Sequence, residues 1–424
     1  MFKTFREAFK IKDVRRKLLL TLLLLLIYRI GCWIPTPGII PSAFADATSE
    51  GFLSIINAVN GSALSNGSLL ALGVLPYINA SIIIQLLSIA IPKLEKISKQ
   101  GEDGKKKIAL YTRIAALCLA TAQAVGIVVA FGSSSLDITI FGGKWFTATM
   151  VVVILVAGAM FTVWLGERIT ELAIGNGMSL LIYVGIISSA GFAIFNAISN
   201  IGSNINYLWT LLIFLLAVIV IFALIVWVDL AERKIPVQYA KQIKGRKMYG
   251  GQSTHIPIKV NSSGVMPIIF AMSLISFPQL IMSIFGSQDK YPAILATGGW
   301  LYSLIVAVLI FFFSYFYSQI SFNPEDVSRQ IQQNGGFIPG IRAGKPTAEY
   351  LGRVSKRITF FGAIFLTFIA LVPTLIFTFV SGGDAGLINA FSATGLIIVV
   401  STALEFNKQL EAQLLMRNYK GFLK

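Results

Sequence analysis

The chain has 424 residues, of which 55% are hydrophobic and only 13% are charged, and its formal net charge is +16. This composition excludes a soluble multi-domain protein, because a soluble surface so rich in apolar residues would aggregate. In a membrane protein, cytoplasmic loops facing anionic lipid account for most of the basic excess. The alternative explanation for the basic residues of the long loops is that they bind an anionic partner, such as a ribosome.

Ten apolar runs are each near the roughly 20 residues that a helix needs to cross a bilayer. They lie at 18–34, 72–91, 108–131, 147–168, 177–199, 207–229, 264–286, 300–322, 358–380 and 385–404. Seven basic residues precede the first run, and short segments of that kind stay in the cytoplasm. We therefore expect both termini in the cytoplasm. This topology puts 32 of the 35 Lys and Arg residues in cytoplasmic segments, leaving Lys144, Lys290 and Arg29.

Residues 51–71 break the pattern of spans. They are apolar in patches but carry several Asn, Ser and Gly residues, so they are too polar to span and too apolar for an ordinary exposed loop. Irregular backbone at membrane depth is tolerated only inside protein or beside water. The segment therefore predicts a half-helix, at about 52–68, folded back beside an aqueous cavity. An amphipathic helix on the outer membrane surface is the alternative.

The ten spans divide into two halves, residues 18–199 and 200–404, flanked by a cytoplasmic arm (1–17) and a cytoplasmic tail (405–424). Five spans per half make the second half run opposite to the first, as in many transport proteins. The second span of each half carries a polar stripe and a proline. The stripe residues are Ser81, Gln85 and Ser88 in one span, with Asn79 nearby, and Ser273, Ser276 and Gln279 in the other. Two such helices predict a side of the protein where helices can separate. The alternative role of the polar residues is hydrogen bonding between neighbouring helices.

Residues for enzyme chemistry are scarce. His255 is the single histidine of the sequence, and Cys32 and Cys118 fall in spans, where packing is their usual role. The sequence GKPT at 344–347 lacks the spacing of a nucleotide-binding loop. We therefore predict no enzyme activity, no catalytic residues, no metal and no cofactor, so that energy must come from a partner or a gradient.

The ionisable residues also argue against an ion-coupled carrier. Such transporters use acidic or histidine side chains near the midplane, whereas Glu167, Glu171 and Asp229 lie at cytoplasmic span ends. Arg29 lies toward the outer third of its span, where its side chain is expected to reach the interface. A secondary transporter with inverted repeats remains the alternative function, and an intramembrane hydrolase would need paired catalytic groups that the spans lack.

Two long cytoplasmic loops are candidate docking sites for a partner, and plain solvated connections between spans are the alternative. Alternation within 230–263 predicts a projecting hairpin. Within 323–357, Asn323 and Pro324 predict the start of a short helix that ends at Gly335 and Gly336. Thr347 is then expected to cap a second helix.

Six long motifs, in order, resemble the SecY/Sec61-alpha family. They are LGVLPYINASIIIQLL (72–87), EDGKKKIALYTR (102–113), GERITELAIGNGMSLLIY (166–183), ERKIPVQYAKQ (232–242), QSTHIPIKVNSSGVMPIIF (252–270) and FIPGIRAGKPTAEYL (337–351). The resemblance implies an all-α, polytopic membrane protein with ten transmembrane helices in two inverted five-helix halves around a central pore. It implies the protein-conducting channel of the Sec translocon in the plasma (inner) membrane, which passes unfolded secretory polypeptides and releases hydrophobic segments laterally into lipid.

The resemblance also assigns roles to individual positions. It implies a pore ring of Val74, Ile78, Ile182, Ile186, Ile269 and Ile398. It implies a plug that includes Phe52, Ile55, Ile56, Asn60 and Leu64. The implied lateral gate includes Asn79, Gln85, Ser273 and Phe277, and the implied docking residues for SecA or a ribosome are Arg246, Lys247, Arg342 and Lys345. The implied partners are SecE-like and SecG-like small membrane subunits, the SecA motor ATPase, the ribosome, signal sequences with unfolded preproteins, and membrane lipids.

Overall fold

The computed structural model describes residues 2–42, 57, 60–98, 100–131, 136–137, 140, 142–172, 175–201, 206–239, 242–244, 247–249, 253–261, 264–284, 300–380 and 393–421. The helices of the first half of the chain are α1 (Phe2–Lys10), α2 (Lys12–Gly31), α3 (Leu75–Ala90), α4 (Pro92–Ser98), α5 (Glu102–Phe131), α6 (Lys144–Glu171) and α7 (Gly177–Ile201). The remaining helices are α8 (Asn206–Leu230), α9 (Met266–Ile284), α10 (Trp300–Ser321), α11 (Pro324–Gln333), α12 (Lys345–Val380) and α13 (Ala393–Gly421). The strands are β1 (Glu232–Tyr239), β2 (Gln242–Lys244), β3 (Lys247–Tyr249), β4 (Ser253–Lys259) and β5 (Gly336–Phe337).

Each predicted span overlaps one long helix, namely α2, α3, α5, α6, α7, α8, α9, α10, α12 or α13. In the described part of the chain, six helices are by themselves long and apolar enough to cross a membrane. A seventh candidate is the pair α3 and α4, which bends by 107°. The bend lies at Ile91, whose extended backbone is the conformation favoured before a proline such as Pro92. In α2 the charged first turns, including Arg15, Arg16 and Lys17, shorten the apolar part.

The chain forms two compact units. Unit one comprises Met1–Phe214, Ser273–Tyr302 and Phe377–Lys424, and unit two comprises Leu215–Met272 and Ser303–Ile376. Within unit one, α3 packs along α5, α5 along α6, and α7 against both α6 and α13. The division of the membrane region at residues 199 and 200 into inverted halves stays a prediction.

The N-terminal arm packs on the C-terminal helix within unit one. Ala8, Val14 and Leu18 form a buried cluster with Leu410 and Leu414 of α13. The hydroxyl of Thr4 also donates to Glu411 at 3.2 Å. The arm and the beginning of the tail therefore form one helical assembly, although the sequence predicts two separate segments.

The two long loops meet in unit two. The predicted hairpin in 230–263 is confirmed, because β1 and β4 pair antiparallel from Glu232 opposite Lys259 to Gln238 opposite Ser253. The second loop adds β5 to the other edge of β1. A shared core lies beneath this sheet and consists of Ile235, Val237, Ile258, Ile331, Ile338 and Leu351.

The helix boundaries of the second loop agree with the sequence at one end and differ at the other. The Asn323 side chain accepts from the Glu325 backbone N–H and Pro324 opens α11, as predicted. Gly335 follows the helix with a φ of +68°, as expected after a helix end. The prediction that Thr347 caps α12 is wrong, because α12 begins at Lys345 and the Thr347 hydroxyl donates to the Arg342 carbonyl at 2.8 Å.

Candidate functional site

A buried, non-helical segment leads into α3. Residues 60–74 form consecutive turns, and Asn60, Ala63, Leu64 and Ser68 are each fully buried within unit one. Backbone bonds tie the segment to the chain after α2, since the Thr36 N–H donates to the Gly67 carbonyl at 2.8 Å. Buried backbone polar groups need such partners, so the segment occupies protein interior and not a lipid surface.

The turns depend on left-handed backbone at several positions. Gly61, Gly67 and Gly73 have φ of +69°, +56° and +55°, and Ser62 has a φ of +65°. At Gly73 a side chain would also collide with Asn60, whose Oδ1 lies 2.2 Å from the position that a Cβ would take. The Asn60 Nδ2 donates to the Ala71 carbonyl at 2.9 Å. Asn60 therefore closes the loop from residue 60 to residue 71, and Gly73 leaves room for its side chain.

Arg29 of α2 holds the beginning of this segment. Its Nη2 donates to the Gly61 carbonyl at 2.9 Å. Its Nη1 is buried and has no hydrogen-bond partner in the described part of the chain. The expectation that the Arg29 side chain reaches the membrane interface is therefore replaced by a contact with protein backbone. A lone arginine in an apolar run was the available signal, but its partner lies 32 residues away.

Glycines of the surrounding helices let the segment approach closely. A Cβ on Gly158 of α6 would lie 1.9 Å from the Leu69 carbonyl oxygen. A Cβ on Gly31 of α2 would lie 2.5 Å from a methyl group of Leu70. Sequence reasoning missed both positions, because a glycine inside a helical run does not reveal what packs against it.

The predicted plug lies partly within this segment. Asn57 is helical, but residues 60–68 form turns, so the predicted half-helix does not continue to Ser68. The physical reason is the positive φ of Gly61, Ser62 and Gly67, which a right-handed helix cannot contain. Asn60 and Leu64 are buried, whereas Phe52, Ile55 and Ile56 lie outside the described residues.

The predicted pore ring residues fall at four places. Val74 is the residue immediately before α3 and is buried, and Ile78 follows one turn later and is half-buried. Ile182 and Ile186 lie one turn apart on α7, and Ile398 lies on α13, which packs against α7 in unit one. Ile269 is a half-buried residue of α9 in unit two. The assignment of these six residues to one ring stays a prediction.

The predicted gate residues lie on two helices. Asn79 of α3 is buried, and its Oδ1 has no hydrogen-bond partner in the described chain. Gln85 lies on the same helix and is half-buried. Ser273 and Phe277 are residues of α9, and their side chains lie outside the described part. Pro278 falls inside α9.

The predicted docking residues lie in the loops of unit two. Arg342 is exposed, and its side chain makes no hydrogen bond or ion pair within the described residues. Lys345 is the exposed first residue of α12. Lys247 begins β3, and Arg246 lies outside the described residues. Hydroxyl bonds fix the loop backbone at both ends, from Thr347 to the Arg342 carbonyl and from Ser328 to the Gly344 carbonyl at 2.7 Å.

The SecY family model matches residues 68–407, which cover α3 and every later element up to α13. The chain belongs to the SecY family. The protein translocase subunit SecY of Streptomyces scabiei is 42% identical, and the match covers 100% of both chains. The SecY of Thermotoga maritima is 40% identical over 100% of this chain and 98% of its own.

Solved structures support the same fold. A protein-conducting channel aligns with a TM-score of 0.65 at 19% identity, over 92% of this chain and 90% of that one. Sec61 in a canine ribosome–channel complex from the endoplasmic reticulum aligns with a TM-score of 0.61 at 18% identity, over 92% and 90%. The predicted mostly helical, polytopic membrane fold is confirmed.

SecY family membership also confirms the predicted function. The chain is the protein-conducting channel of a Sec translocase, a multi-pass protein of the cell membrane and a channel subunit without enzyme activity.

Proposed function

We propose that the channel is sealed in two layers. One layer is an aliphatic ring of Val74, Ile78, Ile182, Ile186, Ile269 and Ile398. The other is a plug that includes residues 52–68. The single observation that carries the proposal is the direct continuity of the two: the buried turns end at Val74, and α3 begins with the next residue.

An aliphatic ring suits a passage for chemically varied polypeptides. Such side chains offer neither charge nor hydrogen bonds, so water and ions find no favourable site when the ring is closed. Dispersion contacts are weakly directional, so the same ring can spread around any passing side chain. A ring of polar residues would bind some side chains strongly and would conduct ions at rest.

The lateral gate would open between α3 and α9, with Asn79 and Gln85 on one side and Ser273 and Phe277 on the other. A hydrophobic signal sequence would lie between these helices and bury apolar surface there. The signal sequence favours the open state of the gate only to the extent that it binds the open state more tightly than the closed state. Within the described residues the buried Asn79 Oδ1 has no hydrogen-bond partner. This supports the role, because an interface that leaves an acceptor unpaired is less stable than a fully bonded one.

The partners would follow from the charges on the cytoplasmic loops. Arg246, Lys247, Arg342 and Lys345 would contact the SecA motor or a ribosome, both in cytoplasm. SecE-like and SecG-like subunits would lie in the membrane beside the helices. Both chain termini would then be cytoplasmic, in accordance with the distribution of Lys and Arg.

Vesicle reconstitution tests the proposal as a whole. The chain, with its small subunits, SecA and ATP, should transport an unfolded polypeptide that carries a signal sequence. The same polypeptide without the signal sequence serves as control and should remain outside. Saturable uptake of a small solute with no polypeptide transport would contradict the proposal and favour a secondary transporter.

A further inference from the structure

A polar cleft and an apolar groove meet between α10 and α12 in unit two. The cleft has a volume of about 810 Å³ and lies where α10 ends, α11 begins and α12 begins. The groove has a volume of about 750 Å³ and lies further along α10 and α12. Tyr315 lines both, so one continuous surface runs from a polar to an apolar region.

The polar cleft is basic and lined with small residues. Arg329, Lys345 and Lys356 line it together with Glu325 and Glu349. The Arg329 guanidinium lies 3.9 Å from the Glu325 carboxylate, and this exposed pair is weak. The lysines are without an ion pair in the described residues. The cleft floor on α12 is Ala348, Gly352 and Ser355, which leave space between the charges.

The groove is apolar and is lined by exposed side chains. Val308 and Phe312 of α10 are 60% and 61% exposed, and Phe368 of α12 is 52% exposed. Both helices are candidate membrane spans by length and composition, so we expect these exposed side chains to face hydrocarbon. From Thr359 at the cleft to Phe368 in the groove, α12 rises about 13 to 14 Å. This length is near half of the roughly 30 Å hydrocarbon thickness, that is, one leaflet.

We propose that this surface is a binding site for one membrane phospholipid. Its phosphate would pair with Lys356 at the edge of the cleft, and one acyl chain would lie in the groove against Phe312 and Phe368. An ammonium paired with phosphate forms a charge-assisted hydrogen bond. The order of polar and apolar surface along the helices matches the order of the two parts of a phospholipid along the membrane normal.

The length of the groove favours a lipid over a transmembrane helix of another protein. A transmembrane helix crosses the whole hydrocarbon thickness of roughly 30 Å, whereas the surface from the cleft to Phe368 covers about one leaflet. A helix lying flat on the membrane surface would cover the cleft and leave the groove open. One hydrocarbon chain is thinner than a helix and extends along α10 and α12, from the cleft into the groove.

The test measures phospholipid retained by the full-length chain after purification in detergent, by native mass spectrometry with added phosphatidylglycerol. Lys356→Gln removes the phosphate partner, and Ala307→Trp fills the groove. The controls are Arg353→Gln and Leu304→Trp, which change exposed residues of the same helices outside both linings. We expect each test variant to lower the amount of retained phospholipid about tenfold. This factor corresponds to the loss of one charge-assisted hydrogen bond or an equivalent contact. The control variants should retain as much phospholipid as the unaltered chain.

A second measurement uses the unaltered chain and so does not depend on any variant folding. A phosphatidylglycerol with a photoreactive acyl chain should label α10 and α12 at the groove well above the exposed face of α8, which includes Leu216, Ile219 and Val220. Equal labelling of both faces would make the groove ordinary lipid boundary and overturn the proposal. Loss of retention in Lys356→Gln alone, together with binding of inorganic phosphate, would reduce the site to an anion site and also overturn it.

Discussion

The Arg29 side chain donates from Nη2 to the Gly61 carbonyl at 2.9 Å, so a charged residue of α2 holds the first turn of the buried segment. Gly61 leaves no room for a side chain, because a Cβ there would lie 2.2 Å from the Arg29 Nη1 and 2.9 Å from the Gly185 carbonyl oxygen. Gly61 therefore lies between Arg29 of α2 and the backbone of α7. Arg29 is half-buried and its Nη1 atom is buried. Burying part of a charge costs free energy unless it is bonded, so movement of Gly61 away from Arg29 carries a penalty.

We predict that Gly61→Ala raises the resting ion conductance of the reconstituted channel. The substitution forces a left-handed alanine, at about 1 to 2 kcal/mol, and adds a collision with Arg29. Planar bilayer recording without substrate gives the conductance, and thermal melting gives the stability. Gly101→Ala is the matched control, because Gly101 has a φ of +73° with nothing within 4 Å of its Cβ position. An equal rise in the control would mean that backbone strain alone, and not the Arg29 contact, is responsible.

Our second prediction concerns the ring. Replacing Ile78 and Ile269 together by Asn should raise resting ion conductance, because amides offer hydrogen bonds to water where the aliphatic side chains offer none. The control replaces the same two residues by Leu, which keeps the volume and the apolar character. Recording at fixed voltage, beside a measurement of protein level, compares the variants. A folded Asn variant with the conductance of the Leu variant would remove both residues from the seal.

The sequence predicted elements whose cause is local. Each long apolar run overlaps a long helix, and the alternating stretches around residues 235 and 256 form β1 and β4. Asn323 and Pro324 start α11. In each instance the residues that carry the signal are no more than about twenty positions apart in the chain. Hydrophobic period, strand alternation and helix capping all depend on residues that are this close in sequence.

The features that sequence reasoning missed all depend on distant partners. Strand β5 has two residues, too few for an alternating pattern, and exists because β1 offers a free edge. Arg29 and Gly61 are 32 residues apart, and either residue alone has several ordinary roles. The close approach of Gly158 to Leu69 likewise becomes visible only when α6 and the buried segment are placed together. For the candidate site, the sequence therefore located the segment but not the contacts that hold it.

The third prediction tests the lateral gate. Cysteines at Asn79 and Phe277, in a background with Cys118→Ser, should form a crosslink in the idle channel and block export. The physical reason is that a covalent bond between α3 and α9 prevents them from parting. Export into vesicles is measured before and after reduction of the crosslink, and each single cysteine variant serves as a control. Full export with the crosslink intact would show that these helices need not separate at this position.

The last prediction concerns the SecA motor and the side chain of Arg342, which, within the described residues, makes no contact that fixes its own loop. Arg342 is exposed, and the bonds that fix its loop involve its carbonyl and the hydroxyls of Thr347 and Ser328, not its guanidinium. Arg342→Glu should therefore leave expression and membrane insertion unchanged. A guanidinium that binds a carboxylate or a carbonyl loses both its charge and its donors in this change, so export driven by SecA should fall about tenfold or more. ATP-dependent transport into vesicles is measured beside protein level, with the exposed Arg353→Glu as the charge-matched control. Normal transport would make Arg342 an ordinary surface charge, and a fall in protein level would make its role structural.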